Sequence, residues 1–379
     1  MMKNIAIFIM LFVCLSFASS QAWDTLVPSG DIPSARYGHS LIKVSSGIYI
    51  FGGRSSDTYY QNHYVYNINE EEFDLITPES GNEVPSARYG HAAVYYSGKI
   101  YIFGGMGASN TLSVMNDIWS YNISTNLWAK ENGTVDIGDL PVGRYDHQAL
   151  VLDGVVYISG GYNASDADVS QEFWTYTLST KKWQQKGNMR ATRYGHSMFM
   201  DLSSRLHVYA GKGEPQLYAD ALLNTMERYN SANDTWDYVE ATNPPIARMS
   251  HATVYSNDML WVIGGRTDPT RVEGETNEFW YFDMANATWT KKENGPTLSN
   301  LGAAILEKSG TYIKIFVFGG KNANVATQQV WQYDSSADND DDDDDDDGGG
   351  NSISCGATGI EFLFFFLLVF VWRSFQKKS

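Results

Sequence analysis

The sequence predicts an all-β protein: a six-bladed β-propeller with four antiparallel strands per blade, the last blade closed by the N-terminal strand. Three observations carry that expectation. A phrase, SARYGHSLIKVSSGIYIFGG at 34–53, returns nearly intact within 84–105 and then four more times in worn form. Each copy holds two short apolar runs, a Gly-Gly pair and a later pair of aromatics, which is too little to bury two sheet faces alone. The array also stops one strand short at its C-terminal end and carries one strand too many at its start.

Arg36, Arg88, Arg144, Arg193 and Arg248 open five copies, at separations of 52, 56, 49 and 55 residues. Each stands three residues before a histidine: His39, His91, His147, His196 and His251. By spacing, Asn300 takes the arginine's place in the sixth copy and Ala303 the histidine's. The glycine pairs are Gly52-Gly53, Gly104-Gly105, Gly160-Gly161, Gly264-Gly265 and Gly319-Gly320, with Ala210-Gly211 in the fourth copy.

The elements follow in order within each copy. HSLIKV and HAAVYY alternate so weakly that they read as strands buried on both faces. IYIFGG, VYISGG and LWVIGG have the β-branched and aromatic density of inner strands. Ser46-Gly47, Ser97-Gly98 and Asp153-Gly154 supply the positive φ of a tight hairpin between these two. The glycine pair ends the second strand where the chain turns beside neighbouring backbone. A third strand carries Trp119, Trp174, Tyr229 or Trp280, and a fourth carries Trp128, Trp183, Trp236 or Trp289; the first copy is weaker, with Tyr64, Tyr66 and Phe73. The sixth copy ends at Trp331-Gln-Tyr333-Asp334, while Ala22-Trp23-Asp24-Thr25-Leu26 precedes the first arginine. The N-terminal segment is therefore expected to supply the missing outer strand, so that six radial sheets close into a ring.

Arg-Tyr-Gly-His, a hairpin, Gly-Gly and spaced aromatics together resemble the kelch repeat, over roughly residues 22–334. The resemblance implies a propeller used mostly as a binding platform, with a few enzymes among its members. Copper oxidases of the galactose oxidase type share kelch-like blades but need a Cys–Tyr cross-linked ligand, and the absence of cysteine from the repeats excludes them. The two cysteines here, Cys14 and Cys355, both fall outside the repeats. The propeller, expected over residues 21–337, thus has no disulfide, and at this size it needs none.

Composition bears on the compartment. Lys3, the apolar run from Ile5 to Phe17 and the small residues Ala18-Ser-Ser20 read as a signal peptide over residues 1–20. Residues 338–352 form an Asp- and Gly-rich spacer, residues 353–372 an apolar segment, and residues 373–379 a short basic tail. The apolar segment reads as a single transmembrane helix with the tail cytoplasmic and the propeller extracellular or lumenal. A lipid-anchor signal is the alternative, since Phe362–Trp372 is short and small residues precede it. Five N-x-S/T sites, Asn122, Asn132, Asn163, Asn233 and Asn286, are candidate glycosylation sites.

The chain carries a net charge of −17. Nine Asp and Glu361 against three cations put −7 in residues 338–379, leaving −10 for residues 1–337. Such a field excludes a nucleic-acid backbone as ligand. Within it one constellation is cationic: the residues directly after the glycine pairs are Arg54, Met106, Tyr162, Lys212, Arg266 and Lys321. Strand geometry puts them at one mouth of the propeller near the axis, with the repeat arginines on the same face. Arginine forks suit carboxylates, and the resemblance implies acidic-peptide binding at similar positions. Arg54, Tyr162, Lys212, Arg266 and Lys321 are thus the candidate ligand residues for an anionic protein segment or acidic glycan. The Arg-x-x-His side chains have a structural reading, tying blade to blade through backbone carbonyls. No metal site, cofactor or catalytic constellation is expected, the chain reads as a non-enzymatic monomer, and a carbohydrate-active enzyme of the sugar mutarotase kind is the alternative.

Overall fold

A computed structural model describes residues 22–108, 113–131, 133–135, 140–163, 168–214, 222–310 and 312–336. The leader, the acidic spacer, the apolar C-terminal segment and Asn132 lie outside the described residues. Among the described residues no helix is long and apolar enough to cross a membrane.

Six antiparallel sheets follow one another along the chain. Blade 1 is built from Ser40–Val44, Gly47–Phe51, His63–Asn67 and Glu72–Ile76, and blade 2 from Ala92–Tyr96, Lys99–Gly107, Ser113–Asn122 and Leu127–Glu131. Gln148–Leu152, Val155–Ser159, Phe173–Thr177 and Lys182–Lys186 make blade 3. Ser197–Met200, Leu206–Tyr209, Met226–Asn230 and Thr235–Val239 make blade 4. Blade 5 comprises Ala252–Ser256, Met259–Ile263, Phe279–Asp283 and Thr288–Lys291. Blade 6 takes Gly302–Ser309, Tyr312–Phe318 and Val330–Asp334 from the C-terminal end and Trp23–Leu26 from the N-terminal end.

That last pairing is antiparallel, from Trp23 opposite Tyr333 to Leu26 opposite Val330. It closes the ring as the sequence predicts. The innermost strands neighbour one another in circular order, blade 6 beside blade 1 included.

Stability comes from the seams between blades. Each seam has its own buried apolar cluster, and the one sealing blade 6 to blade 1 joins Phe316, Phe318 and Val330 to Ile48, Tyr66 and Phe73. The second strands are the most buried, as in Ile48 and Ile50 of blade 1, both fully enclosed. The innermost strands differ from the expectation of burial on both faces: Ser40–Val44 is half-buried, because one face lines the central channel. The tight hairpins form at Ser97-Gly98 and Asp153-Gly154, with positive φ at both residues of each. In blade 1 the turn is one residue earlier than predicted. Val44 pairs with Gly47, so Ser45 takes the positive φ and Gly47 belongs to the strand.

Backbone hydrogen bonds at the upper end of the channel tie the blades together twice. The second glycine of each pair donates its N–H to the carbonyl that opens the next blade: Gly53 to Arg88 at 2.8 Å, Gly105 to Arg144 at 2.9 Å, and on to Gly320 to Arg36 at 2.9 Å. Nearer the axis runs a closed ring, in which Gly90 donates to Gly38, Asp146 to Gly90, Gly195 to Asp146, Ser250 to Gly195, Asn300 to Ser250 and Gly38 to Asn300. All six members have positive φ, between 52° and 64°. This ring fixes the register of the sixth copy. Asn300 is equivalent to Gly38, so Leu298 stands in the arginine's place and Leu301 in the histidine's, two residues earlier than spacing predicted.

Most of these positions leave no room for a side chain, although Ala210 takes the first place in the fourth copy at φ 59°. A Cβ on Gly105 would lie 2.9 Å from the His91 Cβ, and one on Gly52 would lie 2.7 Å from the Arg88 carbonyl oxygen.

Candidate functional site

The repeat arginines do not reach the mouth. Arg36, Arg88, Arg193 and Arg248 are fully buried and Arg144 nearly so. Each donates through Nη1 to the carbonyl ending its own second strand: Arg36 to Gly52, Arg88 to Gly104, Arg144 to Gly160 and Arg248 to Gly264 at 2.9 Å, Arg193 to Ala210 at 2.8 Å. The arginine therefore braces its own blade, and the ties between blades come from the backbone and from three of the repeat histidines. A carboxylate completes the clamp in four copies: Asp117 for Arg88, Glu172 for Arg144, Glu227 for Arg193 and Glu278 for Arg248. The third-strand tryptophans orient three of these acids, since Trp119, Trp174 and Trp280 donate their indole N–H to Asp117, Glu172 and Glu278. Salt bridging holds Asp117 and Glu278 below the usual carboxylate range against the opposing effect of burial. Arg36 has tyrosine faces instead, lying 4.3 Å over Tyr60 and 5.2 Å over Tyr64.

The repeat histidines line the channel below this layer. His91, His196 and His251 meet the hydroxyls of Ser40, Ser159 and Ser197 at 2.8–3.1 Å. Burial, and then the adjacent arginine, pulls His39, His147 and His251 down to about 3, so they are neutral at physiological pH. Among the described residues no cluster of ligands could hold a metal ion.

The residues after the glycine pairs do share one rim. Arg54 is paired by backbone with Tyr37, Met106 with Tyr89, Tyr162 with Tyr145, Lys212 with Tyr194, Arg266 with Met249 and Lys321 with Ser299. All are half-buried. The rim has two unlike sectors. Across blades 1 to 4 runs an arc of tyrosines in mutual contact: Tyr37 to Tyr89 at 6.4 Å, Tyr89 to Tyr145 at 5.7 Å, then Tyr145 to Tyr162 and Tyr162 to Tyr194 at 5.4 Å each. Across blades 5, 6 and 1 the cations converge. Burial lowers the Lys321 pKa, and the charges of Arg266 and Arg54 lower it further. Its ammonium stands 5.0 Å over the Tyr37 ring.

The two arginines are partly engaged by their own loops. Arg54 donates to the carbonyls of Ser55 and Ser56 and to the Tyr59 hydroxyl, while its guanidinium packs among Tyr37, Tyr59 and Tyr89. Arg266 donates to the carbonyls of Asp268 and Arg271, with Glu275 at 4.0 Å. Sequence reading missed Glu275, which also accepts from the Ser299 hydroxyl at 3.2 Å, and Asp146, which borders the channel neck. The signal for Asp146 was present: the third copy reads Arg-Tyr-Asp-His where others read Arg-Tyr-Gly-His.

The KLHDC2/KLHL20/DRC7 Kelch-repeats domain family matches residues 7–190 and 146–339. The chain is a kelch-repeat propeller. Among kelch relatives it is 25% identical over 277 residues to Kelch domain-containing protein 3 of Rattus norvegicus, covering 68% of this chain and 70% of that one. It is 28% identical over 194 residues to Kelch domain-containing protein 10 of Homo sapiens, covering 50% and 43%. Similarity to the Caenorhabditis elegans protein tag-53 is 23% over 341 residues, taking in 84% of this chain and 24% of that much longer one. The kelch array thus spans only part of the length of such relatives.

The candidate sequons sit differently from one another. Asn122, Asn233 and Asn286 lie at the outer hairpins between third and fourth strands, away from the mouth, and Asn233 and Asn286 are exposed. Asn163 is buried.

Proposed function

We propose that this kelch propeller is a non-enzymatic recognition module that binds an anionic protein segment across its upper rim. The observation that carries the reading is the convergence of cations from adjacent blades: the Arg54 guanidinium and the Lys321 ammonium lie 5.6 Å and 5.0 Å from the same Tyr37 ring, with Arg266 on the next blade of the same rim. Carboxylates laid on that sector relieve the repulsion, and Lys212 on blade 4 extends it. The tyrosine arc beside it offers rigid amphipathic contact area of the kind binding surfaces favour. For a sugar-opening enzyme the mouth would need an acid–base pair, and among the described residues Asp146 hydrogen-bonds to no second acid or base.

The test uses a fluorescein-labelled Glu-rich 12-mer and its Gln-rich counterpart. Lys321→Glu with Lys212→Glu is expected to weaken binding of the acidic peptide more than tenfold and to flatten its salt dependence. Unchanged affinity and salt slope overturn the reading. The leader-like and apolar terminal segments support a proposal that the propeller is held on the non-cytosolic side of a membrane. Protease protection of the propeller in intact vesicles is the expected result, with phospholipase C release separating a lipid anchor from a helix.

A further inference from the structure

Among the described residues, four of the five repeat arginines are neutralised within their own blade and the fifth is not. In blades 2 to 5 the nitrogen that meets the acid is Nη2. Arg88 donates it to Asp117 at 2.9 Å and Arg248 to Glu278 at 2.6 Å, and Arg144 and Arg193 do the same with Glu172 and Glu227. Arg36 of blade 1 is fully enclosed. It commits Nε to the Ser34 carbonyl and Nη1 to the Gly52 carbonyl, at 2.9 Å each. Its Nη2 is buried with no acceptor among the described residues.

An asparagine holds the acid's place in this blade. Gly52 donates its N–H to the Asn62 carbonyl as Gly160 does to Glu172 and Gly264 to Glu278, so Asn62 is the equivalent residue, and it is exposed. Ring faces of Tyr60 and Tyr64, at 4.3 Å and 5.2 Å, soften the charge but give Nη2 no oxygen. Blade 1 therefore carries a desolvated cation of the kind its four sister blades pair with a carboxylate. The acid's place also opens to solvent. In the sister blades Asp117 and Glu172 are 23% and 32% exposed although the arginines they hold are buried. At that place in blade 1 the cover is Tyr60, half-buried, whose hydroxyl reaches the Ala35 carbonyl only at 3.5 Å. Tyr60 adjoins Tyr59, which pairs with Arg54 on the cationic side of the rim.

We propose that Arg36 is the floor of a carboxylate pocket in blade 1, and that an Asp or Glu side chain of the bound segment displaces the Tyr60 ring and takes the place Asn62 leaves open. The pocket deepens the recognition reading and rests on it for the source of the carboxylate. One acid of the partner inserts onto Nη2, while its neighbours stay on the surface cations Arg54 and Lys321.

The experiment gives blade 1 an acid of its own with Asn62→Glu. Gln61→Glu, at the exposed neighbour, adds the same charge out of register as the control. Unfolding midpoints are read in sodium acetate and in sodium chloride at equal ionic strength. Acetate is expected to raise the wild-type midpoint by about 2 °C more than that of Asn62→Glu, with Gln61→Glu behaving as wild type. An equal acetate effect on wild type and Asn62→Glu overturns the pocket. The labelled Glu-rich 12-mer then tests the source of the carboxylate. Binding is expected to be about fivefold weaker to Asn62→Glu than to Gln61→Glu. Equal affinity of these two variants overturns insertion of a peptide side chain. A wild type that gains in acetate yet does not bind the 12-mer supports the pocket and overturns the anionic segment as its ligand.

Discussion

Blade 6 and the other five blades share one backbone and hold it by different chemistry. In blade 4 the Arg248 carbonyl of the next blade receives the Gly211 N–H at 2.9 Å; at blade 6 the Leu298 carbonyl receives the Gly265 N–H at 2.8 Å. Only the side chains differ. Blades 1 to 5 bury an arginine and a histidine at these places, whereas blade 6 buries Leu298 and Leu301 in the apolar seam that also takes Phe279, Tyr333 and the closing Trp23. The difference teaches that the frame belongs to the glycine and left-handed backbone positions. The arginine clamp is one way of filling the space behind it, and leucine is another.

Several substitutions break that comparison or sharpen it, the strongest first. Arg193 and Glu227 are both fully enclosed. Arg193→Ala leaves the buried Glu227 without its charge partner, held only by the Arg190 N–H at 2.8 Å, and is expected to cost about 3–5 kcal/mol in denaturant unfolding followed by tryptophan fluorescence. Arg193→Leu with Glu227→Leu gives blade 4 the chemistry of blade 6. It should recover all but about 1–2 kcal/mol of that loss; no recovery would mean the clamp is not interchangeable with leucine.

Trp23→Ala removes the ring that packs 5.2 Å from Phe279 and 5.3 Å from Tyr333. A loss of about 3 kcal/mol is expected, together with faster proteolysis of the N-terminal segment. Gly105→Ala, at φ 99°, should cost about 1–3 kcal/mol, measured as a fall in the unfolding midpoint.

The smallest effect at neutral pH, and the most diagnostic in acid, is His147→Leu, which copies Leu301. In the folded chain His147 titrates near 3 because burial, and then Arg144, disfavours the imidazolium; its unfolded value is 6.5. Between those values the unfolded chain holds the proton and the folded chain does not. Stability is therefore full above pH 6.5 and falls as pH drops toward 3. Asp146 acts in the opposite sense, since its folded value near 7 exceeds the unfolded 3.8. His147→Leu should make the melting temperature less acid-sensitive between pH 6.5 and 4, whereas Asp146→Gly should make it more acid-sensitive.

Much of this was legible in the chain. The doubled phrase at 34–53 and 84–105 set the blade, and Trp23 without a preceding copy announced the closing strand. The sixth copy was misplaced by two residues, because with arginine and histidine both gone only spacing remained, and spacing tolerates insertions that a hydrogen-bonded ring does not. At the mouth the identity of the cations could be read from their place after Gly-Gly. Their engagement could not: Arg54 is satisfied by Ser55 and Ser56 next to it in sequence, through a loop turn that composition does not specify.

What the sequence determined by itself is the number of sheets, their order and the residues that must be glycine, because these follow from local periodicity and steric limits on φ. What only the tertiary structure decided is which charges meet. Lys321 lies far along the chain from Arg54 and Tyr37, and Asp146 is remote from both in sequence. They converge because a closed ring brings the last blade against the first and points one position of every blade at a common axis. Coulomb forces and burial depend on that distance in space, which a linear reading does not contain.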